Sequence, residues 1–127
     1  MSQRWIDRKL LVLLHDESLA THGGASGLRD AGLLDSALDR ALNLAACGAP
    51  DLAALATSYA FALAQNHPFA DGNKRAALLS VGLFLGLNAQ RLTASQAEAT
   101  VAVFGLASGE IDEATFAAWL RGRMAPR

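Results

Sequence analysis

With one cysteine, three prolines, few aromatic or β-branched residues and almost no net charge, this 127-residue chain has little that points away from a plain helical protein. The lone Cys47 rules out an internal disulfide and fits a reducing, cytoplasmic compartment. Its small apolar neighbours suggest core packing rather than thiol chemistry. No apolar run reaches membrane-spanning length, since Ala76 to Leu87 stops at Asn88. Met1-Ser2-Gln3-Arg4-Trp5 lacks the basic and apolar regions of a signal peptide. A formal net charge of −1 gives no global attraction to nucleic acid or anionic lipid. Neither nucleic acid nor membrane is therefore an expected direct partner, and any phosphate binding must come from a local cluster.

What the chain does contain is alanine and leucine, and that balance favours helix nearly throughout. No linker, low-complexity tract or repeat interrupts residues 1–127, which read as a single domain. A first helix is expected from near Trp5 to near Thr21, with Ile6, Leu10, Leu13 and Leu14 inward and Gly23-Gly24 ending it. After the glycine-rich segment Gly23 to Asp30, a second helix carries Leu34, Leu38, Ala41 and Leu42. Gly48-Ala49-Pro50 breaks the chain, and Asp51 is a suitable N-cap for a third helix bearing Leu52, Leu55, Tyr59 and Leu63. A fourth, apolar on nearly every side, should run through the middle of the bundle. Ser95-Gln96-Ala97-Glu98 forms a capping box for a fifth helix, closed by Gly109. Asp112 caps a sixth that carries Phe116, Trp119 and Leu120. No segment reads as a convincing strand. The fold class is all-α, a compact bundle of about six helices with a buried central helix after the third interhelical turn.

Chemistry is concentrated in nine residues before that fourth helix, His67-Pro68-Phe69-Ala70-Asp71-Gly72-Asn73-Lys74-Arg75. Helix N-termini leave backbone N–H groups unpaired at the positive end of the dipole, where phosphate binds readily. His67 reads either as a helix-end histidine with no task or as a general base. Pro68 stops the third helix and Phe69 pins the turn, both structural roles. Asp71 could be an N-cap or a Mg²⁺ ligand beside a nucleotide. Gly72 lets a ligand approach the backbone, and Asn73 can orient phosphate or metal-bound water. Lys74 and Arg75 are either solvated charges or phosphate partners. Together the set looks built for a nucleotide.

The pattern His-Pro-Phe-x-Asp-Gly-Asn-x-Arg resembles the signature of the Fic superfamily, whose members transfer parts of nucleotides to hydroxyl groups on an all-α fold. Lys74 after Asn73, where most Fic enzymes have glycine, is similar to the Doc (death-on-curing) branch. Leu14-His15-Asp16, His22-Gly23-Gly24, Gly32-Leu33-Leu34-Asp35-Ser36-Ala37-Leu38 and Ser108-Gly109-Glu110-Ile111 extend the resemblance over most of the chain. Asn43 to Pro50 is too short and too poor in strand formers for the hairpin flap of larger Fic enzymes, again as in Doc. Pro68 and Gly72 are nearer the broad Fic pattern, and Leu79 stands where Doc is expected to have a polar residue.

The resemblance implies ATP and Mg²⁺ as cofactors, with His67 as base, Asp71 as metal ligand, and Gly72, Asn73, Lys74 and Arg75 around the phosphates. It implies transfer of the γ-phosphoryl to a threonine of translation elongation factor Tu, blocking protein synthesis as the toxin of a toxin–antitoxin pair. Lysine also fits physically, filling the space glycine leaves and adding a cation for developing phosphoryl charge. The alternatives are Fic-type AMP transfer or an inactive partner-binding module. A third reading, an HD-type metal phosphohydrolase centred on His15-Asp16, lacks the upstream histidine that chemistry needs. Many Fic proteins carry an inhibitory Ser/Thr-x-x-x-Glu-Gly/Asn helix, but Glu17, Glu98, Glu110 and Glu113 precede Ser18, Ala99, Ile111 and Ala114. Restraint is therefore expected from a separate antitoxin, and the resemblance to Doc implies one whose disordered C-terminal tail folds on binding.

Overall fold

The computed structural model describes residues 3–127, so Met1 and Ser2 of the N-terminal reading lie outside the described residues. Six helices carry the fold: α1 (Arg8–His22), α2 (Ala31–Ala46), α3 (Leu52–Asn66), α4 (Asn73–Leu87), α5 (Gln96–Ser108) and α6 (Glu113–Arg121). Two short strands, β1 (Gln90–Leu92) and β2 (Met124–Pro126), pair antiparallel with Leu92 opposite Met124. These strands escaped the sequence reading because three residues containing arginine or proline show no alternation. No helix among the described residues is long and apolar enough to cross a membrane.

Local chemistry explains where each helix starts. The carboxylates of Asp7, Asp30, Asp51 and Asp112 each accept a backbone N–H of the first turn that follows. Ser95 and Glu98 form the reciprocal capping box at α5. α4 differs. Its N-cap is Gly72 in a left-handed conformation, φ 72°, and no side chain among the described residues caps it. Asp71, one residue too early to cap α4, instead accepts the N–H of Gly72 on its carboxylate at 2.8 Å.

α3 and α4 share the middle of the bundle. α3 packs on α2, α4, α5 and α6, and α4 packs on α1, α3, α5 and β1. Alanines at positions 53, 56, 60 and 64 of α3 are buried, and their small side chains let neighbouring helices approach closely. α4, expected to be buried on nearly every side, buries Ala76, Ala77, Val81, Phe84 and Leu85 but leaves Leu78, Leu79 and Leu83 only half-buried. α1 also turns differently from its expected face. Leu11, His15 and Leu19 are buried, whereas Leu13 is 55% exposed. Five consecutive apolar residues, Leu10 to Leu14, offer every face of α1 equally, so periodicity could not select one. Leu42, expected inward, is also exposed. Cys47 caps the C-terminus of α2, whose last turn projects beyond the core, and is exposed rather than packed.

Asp51 joins two ends of the bundle, capping α3 through Ala54 N–H and accepting Arg121 Nε at 2.6 Å. The Arg121 hydrogen bond above all, helped by Ala54 and opposed by partial burial, holds its carboxyl below the usual aspartate range. A depressed folded pKa means stability that is complete above the unfolded value and lost as pH falls through the folded one. Asp51→Ala should therefore cost about 0.5–2 kcal/mol in urea unfolding at neutral pH. The gap from wild type should narrow below about pH 4; a gap that widens in acid would contradict this assignment.

Candidate active site

The nine-residue segment reverses the chain between α3 and α4 through two left-handed residues. His67 ends α3 at φ 51°, ψ 54°, unusual for a residue with a Cβ, and Gly72 opens α4. A left-handed non-glycine costs of order 1–3 kcal/mol and persists only where its surroundings over-determine it. Here the segment between α1 and α2 does so. Arg29 donates Nε to the His67 carbonyl at 2.7 Å and a terminal nitrogen to the Asn66 carbonyl at 2.9 Å. The N–H groups of Arg29 and Asp30 donate to the Pro68 carbonyl, and Ala70 N–H donates to the Gly27 carbonyl. Leu28 and Phe69 form an antiparallel bridge, with Pro68 and Phe69 buried beneath it. On the other side Asn73 closes the loop, its Oδ1 accepting Phe69 N–H at 2.9 Å and its Nδ2 donating to Phe69 O at 3.1 Å.

His15, set aside above as a metal ligand, is fully buried under this loop. Its ring lies 4.0 Å from that of Phe69, and Nε2 is 2.9 Å from the carbonyl oxygen of Asp71. A carbonyl only accepts, so Nε2 carries the hydrogen. Burial lowers the pKa of the ring, outweighing the hydrogen bond to Asp71. Among the described residues, the buried Nδ1 has no hydrogen-bond partner. Asp16 points outward, so no metal pair forms with His15. The signal that could have found this residue is its place in Leu11, His15 and Leu19, four residues apart on one buried face.

Above the loop opens a cleft of about 650 Å³. His67, Asp71, Gly72, Asn73, Lys74 and Arg75 all line it, Ser18 and His22 of α1 form one wall, and Gln96, Thr100 and Phe104 of α5 form the other. Lys74 Nζ lies 4.8 Å from the Phe104 ring centre, a cation–π contact at the cleft edge. Neither Lys74 nor Arg75 makes an ion pair among the described residues. The amide of Asn73 is spent on Phe69, leaving one Nδ2 hydrogen for any ligand. A cavity of about 610 Å³ on the α2–α3–α6 face contains none of these residues, and its Arg40 is matched by Glu113. Size does not separate the two cavities; unmatched positive charge does.

A sequence model of the Fic/DOC family matches residues 5–85. The protein kinase doc of Escherichia phage P1 is 35% identical over 119 residues, spanning 93% of this chain and 94% of that protein.

Gly24, from the clamping segment, sits at φ 121° against the site. A Cβ there would lie 2.9 Å from the Asp71 carboxylate and 2.8 Å from Leu19. Gly24→Ala should lower stability by roughly 1–3 kcal/mol, combining backbone strain with these collisions. It should also displace the Asp71 carboxylate, seen as a shift of the Gly72 amide resonance; an unmoved resonance would separate Gly24 from the site.

Proposed function

The chain belongs to the Fic/DOC family, and on that premise we propose that it transfers the γ-phosphoryl of ATP to a protein hydroxyl. One observation carries this reading. Of the six described helices, α4 alone starts with no side-chain acceptor, and two unpaired cations stand at that start. Elsewhere a carboxylate or hydroxyl satisfies the first-turn N–H groups; at α4 a phosphate would do so. Lys74, and the kinase name of the phage relative, favour phosphoryl over nucleotidyl transfer.

The proposed roles are those the family resemblance implies, and the positions of the residues support them. His67, exposed at the mouth of the cleft, takes the proton from the target hydroxyl as its oxygen attacks the γ-phosphorus. The bond from that phosphorus to the bridging oxygen breaks and ADP leaves. Lys74 and Arg75 hold the charge that spreads over the phosphoryl oxygens. Asp71 offers one carboxylate, and no three metal-ligating side chains cluster among the described residues. That suits Mg²⁺ carried in with its nucleotide, which takes one or two carboxylates plus phosphate oxygens. Such an ion would neutralise phosphate charge. The proposed target is a threonine of elongation factor Tu, making the chain the toxin of a toxin–antitoxin pair. The lack of a carboxylate partner for Arg75 among the described residues supports restraint by a separate antitoxin with a tail that folds on binding. AMP transfer is the second reading, favoured by Pro68 and Gly72, which follow the broader Fic pattern.

Mass spectrometry of elongation factor Tu incubated with this protein, ATP and Mg²⁺ should record a gain of about 80 Da, against about 329 Da for AMP transfer. No gain in either position would overturn the enzyme reading for this target. His67→Ala should slow transfer ~10²–10⁴-fold while leaving the melting temperature near wild type. Lys74→Gly should weaken phosphoryl transfer; an unchanged rate and product would reduce Lys74 to a surface charge.

A further inference from the structure

We propose that His15 is a positioning residue for this reaction, its Nε2–H holding the main chain of Asp71 and so aiming the carboxylate that faces the cleft. The proposal rests on the reading of Asp71 as the Mg²⁺-binding carboxylate. Every other residue of the loop is tied elsewhere. The His67 carbonyl accepts from Arg29, the Pro68 carbonyl accepts from Arg29 and Asp30, both main-chain groups of Phe69 meet Asn73, and Ala70 N–H reaches Gly27. Gly72 enters α4 by accepting Ala76 N–H. For the main chain of Asp71, the tie among the described residues is His15.

Packing alone does not account for a histidine at this point. A leucine or methionine would fill a fully buried position on α1 without orphaning a polar atom, whereas His15 leaves Nδ1 without a partner among the described residues. That cost is borne by a ring whose other nitrogen makes the one contact Asp71 needs. The ring is held rigidly enough to act as a fixed post. The Phe69 ring packs against it, tilted by 35° with centroids 4.0 Å apart, and Gly72 leaves room on another side, where a Cβ would come within 2.9 Å of the ring Cε1. With only two side-chain torsions, and both packed, His15 presents its donor in one direction. Partners of metal ligands act in this way, and losing them typically costs 10–100-fold in metal affinity or activity.

The test compares His15→Leu, which keeps burial without a donor, with His15→Gln, whose terminal N–H reaches a similar distance. Three readouts apply to the intact protein: Mg²⁺ affinity by calorimetry with a non-hydrolysable ATP analogue, Gly72 amide exchange without ligand, and kcat and KM. The Leu variant should bind Mg²⁺ roughly 10–100-fold more weakly and lower kcat, with faster Gly72 exchange, and Gln should recover most of each. Unchanged affinity and exchange in the Leu variant, or a Gln variant no better than Leu, would overturn the proposal. In the wild type, ¹⁵N resonances should place the hydrogen on Nε2 with Nδ1 bare, a result independent of whether any variant folds. A hydrogen on Nδ1 with Nε2 bare would refute the contact. Should the wild type bind neither Mg²⁺ nor nucleotide, the catalytic reading falls by itself. The exchange comparison would still decide whether His15 holds the loop.

Discussion

Between α3 and α4 the chain must reverse while presenting polar groups to a cleft, and it does so by holding His67 and Gly72 left-handed at the two ends of one short loop. Such a loop cannot stay closed by its own propensity, because the left-handed conformation at His67 is disfavoured and an internal ladder is missing. The connection from α1 to α2 supplies the missing ladder. Gly27, Arg29 and Asp30 take up the loop's main-chain groups, and Arg29 reaches across with its guanidinium. A segment that is itself irregular and exposed thereby becomes the scaffold of the site.

Electrostatics follow from the same arrangement. The chain is nearly neutral overall, and some of its cations are matched, Arg8 with Asp35, Arg40 with Glu113 and Arg121 with Asp51. Exposed pairs of this kind add little stability, typically below 1 kcal/mol, but they also remove competing anion sites from the surface. Lys74 and Arg75 are left unmatched at the start of α4, where the helix dipole has the same sign. Two adjacent cations and a helix N-terminus thus place local positive charge in the cleft without any net positive charge on the chain.

Rigidity beneath the cleft comes from α3 and α4. α3 is nearly all small or apolar and is enclosed by four neighbouring helices, so the residue that leads into the loop has little freedom. α4 is packed on one side and open on the other, where Leu78 and Leu79 reach the cleft wall. The loop thus sits between two anchored ends, with His15 and Phe69 filling the space under it.

Much of this was legible in the chain itself. Asp51, Ser95 and Asp112 ahead of apolar runs mark three helix starts, because an N-cap is a contact between residues two or three apart, whereas α1 starts after Asp7 and not near Trp5. The motif residues that line the cleft are contiguous, so His67, Asp71, Lys74 and Arg75 could be named together from order alone. The face of α1, the exposure of Cys47 and the strands β1 and β2 could not, since a run of leucines, a helix overhang and three-residue pairings carry no period. Nor could the partners of the loop. His15 lies 56 residues from Asp71, and Arg29 lies 38 from His67. Local chemistry written in consecutive residues is readable in one dimension; a hydrogen bond that closes only when helices pack exists in the tertiary structure alone.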